Sequence, residues 1–390
     1  MAITTQKYAV VIGGSYVGIK AAKELAQNAN SRFHVVLTEA NSHFQHLFAF
    51  PRFAVATGVE THKAFIPYKP GTFRDCSEGS ATIIQARAID LTNNEVKLDR
   101  MVEFEGRQVD SLPYSYLVIA TGTKLSPPST LPGSDKIGGI DYLQKHVQKI
   151  RRSSQIAVIG AGAVGVQMAT DIKELYPEKE VTLVHSRNQL MNTFDKQLHE
   201  IVKERCDELG IKLALGSRVR LPSGGFPTDG HPFDVELVDG RKIETEFAII
   251  CTGQTPRSEI LSALSPESIN ESKFITTLPT LQIADPRHPN IFALGDVANT
   301  GAHKAARPGF NQALVVAKNI LHLESKEPLE DYDFKGMPAA IHLTLGIQKN
   351  VLFIDKRDGL PQAKHRDDGV LDMGIDAVWQ RRGGGVDAML

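Results

Sequence analysis

The feature that most constrains this chain is a supersecondary unit that occurs twice. The β-branched run Tyr8-Ala-Val-Val-Ile12 leads into the turn Gly13-Gly14-Ser15-Tyr16-Val17-Gly18, a helical stretch over 19–28 and a second strand over 33–37 that closes on Thr38-Glu39. From Gly13 to Gly160 is 147 positions, and there the unit recurs. Ile156-Ala-Val-Ile159 leads into Gly160-Ala161-Gly162-Ala163-Val164-Gly165, a helix running to Leu175 before Tyr176-Pro177, and the strand Val181-Thr-Leu-Val184 closing on His185-Ser186-Arg187. Strand, glycine turn, helix and strand within roughly 30 residues is the context that gives a G-x-G-x-x-G pattern its meaning.

In that context each glycine has a task. The first allows the tight turn, the second lets backbone approach a pyrophosphate, and the third lets helix and strand pack closely. The helix N-terminus then offers free N–H groups and a positive dipole end to phosphate. The expected fold class is therefore α/β, with two Rossmann-like dinucleotide-binding domains followed by a small C-terminal α+β segment. The copies differ in ways that bear on their ligands. In the first, Ser15 replaces the middle glycine and the second strand ends in Glu39, a carboxylate suited to accept hydrogen bonds from an adenosine ribose; that fits FAD or NAD and repels a 2′-phosphate. The second keeps Gly160, Gly162 and Gly165 but ends in His185, Ser186 and Arg187, without an acid. Arg187 is placed to pair with a 2′-phosphate, which makes the second site NADPH-capable.

Two further segments repeat. Tyr116-Leu-Val-Ile-Ala-Thr121-Gly122 and Phe247-Ala-Ile-Ile-Cys-Thr-Gly253 are buried-type strands ending in Thr-Gly, each closing one nucleotide unit and returning the chain to the other, with Thr121, Gly122 and Gly253 as candidate cofactor contacts. Asn290-Ile-Phe-Ala-Leu-Gly295-Asp296 is a strand whose terminal carboxylate suits a flavin ribityl chain. Arg307-Pro308-Gly309 then opens a helix over 311–321, with Pro308 in its first turn, and the N-terminus of that helix suits negative charge on a reduced flavin. The chain thus divides into 1–122 with 254–325 (first nucleotide domain, discontinuous), 123–253 (second) and 326–390. Elsewhere, residues 195–209 read as an amphipathic helix stopped by Gly210, and Asp239-Gly240 as a hairpin turn.

Composition excludes other classes. The 390 residues allow two or three domains, and 44 basic against 45 acidic residues leave no electrostatic footprint for nucleic acid. Three cysteines, Cys76, Cys206 and Cys251, are too far apart for a Cys-x-x-Cys pair or a metal-type spacing, and the expected metal content is none. A reducing compartment is the default. No apolar run is long enough to span a membrane. No targeting signal is read at either end, and Ala2 excludes N-myristoylation. The expected location is cytoplasmic, with peripheral membrane contact left open, as is the oligomeric state.

Taken together, these motifs resemble the two-dinucleotide-binding-domain flavoproteins over about 8–325. More closely, the chain is similar to the ferroptosis-suppressor and apoptosis-inducing-factor-like NAD(P)H oxidoreductases, in a fungal-type form. The resemblance lies in Tyr176-Pro-Glu-Lys-Glu-Val-Thr-Leu-Val-His-Ser186, supported by Phe44-Gln-His46, Arg52 with Thr57-Gly58, Lys63-Ala-Phe-Ile-Pro-Tyr68 and Lys304-Ala-Ala. It implies FAD in the first unit, NADPH or NADH in the second, and two-electron reduction of quinones. It further implies that Arg52 reaches the FAD diphosphate, that Lys304 stabilises charge on flavin or acceptor, and that His46 is a candidate proton donor because its ordinary pKa lies near neutrality. Where the family carries Glu beside the nicotinamide, this chain has Gln167, which can orient a group but cannot act as a base. Without a cysteine pair, disulfide chemistry is excluded, and Asn41-Ser42-His43 lacks the cysteine of peroxide-handling relatives. Two alternatives stay open: a flavoenzyme acting on one small metabolite, and a redox-sensing interaction protein. The end, Trp379-Gln-Arg-Arg-Gly-Gly-Gly385, reads as a loose terminus.

Overall fold

A computed structural model describes residues 6–356 and 359–386. Ala2 and residues 388–390, on which targeting readings rest, lie outside the described residues.

The first unit folds as its sequence dictates. The five residues of β1 (Tyr8–Ile12) are all buried, as expected of a strand covered on both faces. Helix α1 (Tyr16–Asn28) turns Gly18, Ile19, Ala21, Ala22, Leu25 and Ala26 inward, a stripe of small and branched side chains at helical spacing. It returns the chain to β2 (His34–Glu39), parallel to β1 with Ala9 opposite Val35. With β3 (Ala81–Gln85), β4 (Tyr116–Ile119) and a late strand, Ile291–Ala293, they form a five-stranded parallel sheet in the order Ile291–Ala293, β4, β1, β2, β3. The order reverses between β1 and β4, which opens a crevice at their carboxyl ends.

The second unit repeats this on a smaller scale. Strands β5 (Gln155–Ile159), β6 (Glu180–Val184), β7 (Lys212–Ala214) and β8 (Phe247–Ile250) form a four-stranded parallel sheet in the order β7-β6-β5-β8. The short helix α2 (Phe50–Phe53) falls between β2 and β3 in the chain; α3 (Lys136–Arg152) precedes β5, its N-terminus capped by the Asp135 carboxylate accepting from the Gly138 N–H at 2.7 Å, and α4 (Ala163–Leu175) leaves the second glycine turn. Helix α5 (Lys196–Leu209) starts at Asp195 and ends at Gly210, where φ is +67°. The Asp239-Gly240 turn joins Phe233–Glu236 to Lys242–Thr245 as an antiparallel hairpin. Between the sheets, Thr123–Leu125 pairs antiparallel with Gln254–Pro256 where the chain leaves and returns.

The C-terminal segment is a three-stranded antiparallel sheet, Ala339–Thr344, Asn350–Asp355 and Gln362–Arg366, followed by the short helix Ile375–Arg381. The expectation of a loose end is wrong. Trp379 is 5% exposed, and its indole N–H donates to the Gly385 carbonyl at 3.0 Å. One apolar cluster runs through Leu25, Phe50, Met168, Phe353 and Trp379. The tail is therefore held by the same hydrophobic burial that joins the two sheets.

Candidate functional site

The two glycine turns share the same local constraints. Gly13 and Gly160 hold φ of +107° and +112°, where a side chain is strained. A Cβ on Gly18 would lie 1.8 Å from the Gly13 carbonyl oxygen, and one on Gly165 would lie 1.7 Å from that of Gly160. Only glycine lets helix and turn approach this closely, so both cradles are built by sterics before any ligand arrives. Around Gly162, by contrast, a Cβ would meet nothing within 4 Å. That open backbone faces no protein atom and leaves space for a phosphate group. Neither α1 nor α4 has an acidic residue in its first turn or a side-chain cap, so their leading N–H groups carry no competing carboxylate.

At the ends of the second strands the copies diverge. The Glu39 carboxylate is buried at 8% exposure and accepts from the Gly14 N–H, from the Asn41 N–H at 2.8 Å and from Asn41 Nδ2 at 2.7 Å. A carboxylate accepts about four hydrogen bonds, so about one direction is left for a ribose hydroxyl. The equivalent of Glu39 is His185, whose Nδ1 accepts from the Ala161 N–H at 3.2 Å while Nε2 faces Asn192 Oδ1 at 3.3 Å. Burial, ahead of the opposing Asn192 hydrogen bond, pushes the His185 pKa down. A neutral imidazole therefore stands where the first unit has a negative charge. Ser186 is half-buried and Arg187 exposed beside it.

The joints are stitched together. Thr121 Oγ1 donates to the Arg257 carbonyl at 2.6 Å, and the Gly122 carbonyl accepts from the Arg257 N–H at 3.0 Å. Gly253, at φ +87°, ends the other joint. At the carboxyl end of Ile291–Ala293, the Gly295 N–H donates to Gln312 Oε1 at 2.7 Å. Asp296 shares a narrow cleft with Lys304, Thr300 and His303, at the N-terminus of α6 (Ala306–Ser325). Burial raises the Asp296 pKa against the pull of Lys304, and burial lowers that of Lys304 against the pull of Asp296. The Lys304 ammonium donates to the Ala298 carbonyl and sits 4.5 Å from the Phe274 ring centroid.

Two expectations change. Arg52 does not point at a diphosphate. It is 1% exposed, its Nε pairs with Asp171 Oδ2 at 2.6 Å, and its Nη2 donates to the Gly346 carbonyl at 2.8 Å. With its donors committed to α4 and the C-terminal segment, it is an interlock. His46 Nδ1 is hydrogen-bonded with the Tyr16 hydroxyl at 2.9 Å. Burial, reinforced by Arg382 and Arg381, pulls its pKa down to about 4, so it is neutral near pH 7 and cannot serve as an acid tuned to neutrality. Gln167 is nearly buried, with Nε2 at 3.7 Å from the Met373 sulfur, beneath the C-terminal segment.

The sequence reading missed four groups. His303 precedes the expected Lys304, and its edge packs against Phe194 with ring centroids 5.3 Å apart. Phe334 and Met337, with His303, line a pocket of about 200 Å³ that adjoins the Asp296–Lys304 cleft. Arg382, from the terminus read as loose, lies with its guanidinium 3.5 Å from the Phe44 ring centroid. Only the adjacency of His303 and Lys304 was visible as a signal. Among the described residues no cluster of His, Cys, Asp or Glu could hold a metal, and no helix is long and apolar enough to cross a membrane. All three cysteines are free thiols.

Comparison with known proteins places this geometry. The model of the pyridine nucleotide-disulphide oxidoreductases matches residues 7–315. Fe-regulated protein 8 of Mycosarcoma maydis is 34% identical, over 97% of this chain and 95% of its own. Ferroptosis suppressor protein 1 of Mus musculus is 32% identical, over 88% and 87%. Among solved structures, the sulfide:quinone oxidoreductase of Aquifex aeolicus shares the fold at a TM-score of 0.72, with 18% identity over 97% of this chain and 92% of that one.

Proposed function

The chain belongs to the pyridine nucleotide-disulphide oxidoreductase family and is an FAD-dependent NAD(P)H oxidoreductase, and we propose that its acceptor is a quinone-like small molecule held between residues 302–308 and the C-terminal segment. The carrying observation is the pocket of about 200 Å³ lined by His303, Pro308, Phe334, Met337 and Pro338. It shares Ala302 and His303 with the cleft of Asp296 and Lys304. Mostly apolar walls, with the His303 imidazole and the Asp355 carboxylate, which accepts from the Asp195 N–H at 3.0 Å, as the polar lining, suit a flat ring bearing polar oxygens, since apolar area gives binding and a few polar groups set orientation. The fold relative from Aquifex aeolicus is by its name a quinone oxidoreductase, and the ferroptosis-suppressor resemblance implies the same acceptor class.

FAD, when bound, supplies a two-electron relay between NAD(P)H and acceptor. The chain supplies positioning and electrostatics. On this reading the amides of 13–18 hold one diphosphate and those of 160–165 the other, with Glu39 on a ribose and Asp296 on the ribityl chain. Lys304 and the N-terminus of α6, which has no acidic residue in its first turn, favour negative charge beside the cleft. His185 and Arg187 leave the second unit able to take NADPH. Thr121, Gly122 and Gly253 fix the angle between the units rather than touch the reacting atoms. Net turnover takes NAD(P)H, one proton and a quinone to NAD(P)⁺ and the quinol, so electrons and protons balance. The same reading keeps the enzyme cytosolic, meeting lipid quinones peripherally.

Rapid-mixing kinetics test this. Flavin reduction by NADH and NADPH is followed by reoxidation with a quinone panel, in the wild type and in Met337→Trp, which fills the pocket. A quinone should reoxidise the flavin much faster than dioxygen does. Met337→Trp should raise the KM for that quinone while leaving flavin reduction unchanged. Equal reoxidation by quinone and dioxygen would reject the acceptor class.

A further inference from the structure

The Trp379-Gln-Arg-Arg-Gly-Gly-Gly385 terminus has a use that its composition hides. Its helix docks through buried Trp379, through Lys63 Nζ on Asp376 Oδ1 at 2.5 Å, and through Arg74 Nη2 on the Arg381 carbonyl at 3.1 Å. Beyond it the backbone runs so close to Gly71 that a Cβ there would lie 2.3 Å from the Arg382 carbonyl oxygen, and a Cβ on Gly383 would lie 2.6 Å from Gly71 Cα. These contacts fix where Arg382 emerges. Its guanidinium lies over Phe44 at 3.5 Å and 5.4 Å from the Tyr16 ring centroid. Tyr16 is the first residue of α1, directly after the Gly13–Ser15 turn. Tyr68, whose hydroxyl donates to the Gly14 carbonyl at 2.8 Å, feels both Glu39 and Arg382.

Among the described residues no carboxylate pairs with Arg382, whose charged and titratable neighbours include Tyr16, Tyr68 and Arg381. Arg381 is its chain neighbour, and Tyr16, against whose ring it lies, opens the positive end of α1. The carboxyl end of its own short helix, Ile375–Arg381, offsets part of that repulsion, and an anion held between Arg382 and α1 offsets the rest. Stacking on Phe44 holds the guanidinium plane still, which suits two-pronged recognition of phosphate oxygens. We propose that Arg382, carried in by the C-terminal tail, is the cation that closes the FAD diphosphate site in place of Arg52. The tail is then a clasp: residues 379–385 complete a site begun by the first strand. This rests on placing FAD in the first glycine unit.

The test is FAD affinity, read by flavin fluorescence quenching on deflavinated protein, for wild type, Arg382→Ala, Arg382→Lys and Glu39→Ala. Arg382→Ala should weaken FAD binding by about 10- to 100-fold, as expected for loss of a charge-assisted contact. Arg382→Lys should recover part of that, and NADPH affinity should not change. In the wild type, FAD should slow tryptic cleavage after Arg382, a readout that needs no variant. Unchanged FAD affinity in Arg382→Ala with weakened affinity in Glu39→Ala would overturn the role of Arg382 alone. Unchanged affinity in both would remove FAD from the first unit. Tighter binding in Arg382→Ala would make the tail a plug and overturn the proposal.

Discussion

The interlock between Arg52 and Asp171 can be broken in a way that separates stability from cofactor binding. Both side chains are excluded from water, at 1% and 0% exposure, and meet at 2.6 Å. Among the described residues Asp171 Oδ1 has no hydrogen-bond partner within normal distance. Replacing Arg52 with Met leaves a buried carboxylate without its cation, which costs about 3–5 kcal/mol. For a unit of this size each kcal/mol is roughly 2–4 °C of Tm, so Tm should fall by about 10 °C. Arg52→Met with Asp171→Leu should recover most of the loss, since an apolar pair of similar volume replaces a buried ion pair at little cost. A residue of about 1–2 kcal/mol should remain because the Gly346 carbonyl loses its donor.

The pH dependence gives a second check with a definite sign. Burial raises the Asp171 carboxyl from 3.8 to about 6, against the lowering pull of Arg52. A raised folded pKa means the native state binds the extra proton, so this group favours folding at low pH and the contribution is lost as pH rises through about 6. Without Arg52 the pKa rises further. The Tm deficit of Arg52→Met should therefore be large at pH 7.5 and small at pH 5. Differential scanning fluorimetry of three proteins at two pH values, with flavin content measured alongside, decides the matter. Equal Tm values for single and double variants, or a deficit that ignores pH, would refute the interlock. Loss of FAD from the well-folded double variant would return Arg52 to the diphosphate.

Other variants probe the site directly. Arg187→Ala should raise the KM for NADPH by about 10-fold while leaving that for NADH nearly unchanged, as removal of one phosphate contact requires; an unchanged preference rejects the phosphate role. Because His46 titrates near 4, the pH–rate profile of His46→Gln should keep the shape of the wild type between pH 6 and 8, and a limb that vanishes in the variant would restore His46 as the proton donor. Burial pushes the Cys206 and Cys251 thiols up to about 12. A thiol reagent at pH 7.5 should therefore label Cys76 alone in the native protein, and a chain with all three cysteines replaced by Ser or Ala should still reduce quinones. Inactivity of that folded chain would reopen disulfide chemistry.

The sequence by itself determined the two nucleotide units, their strand–turn–helix–strand succession and the residues at their turns. That information is local: a glycine whose Cβ would strike a carbonyl 1.7–1.8 Å away is needed whatever the rest of the chain does, and apolar runs at strand and helix spacing need only their own neighbours. The Asp195 start and Gly210 stop of α5 were legible for the same reason. The partners of buried charges were not. Arg52 finds Asp171 119 positions away and Gly346 294 positions away, and nothing periodic records such a pairing. The desolvation of His46 comes from a core assembled out of distant segments, with Arg381 and Arg382 at the far end of the chain. The glycine-rich terminus looked loose because composition weighs residues one at a time. Only the tertiary structure supplied the wall against which Trp379 is buried and the backbone that Gly383 meets, and burial of that one ring is what carries Arg382 to the mouth of the first glycine turn.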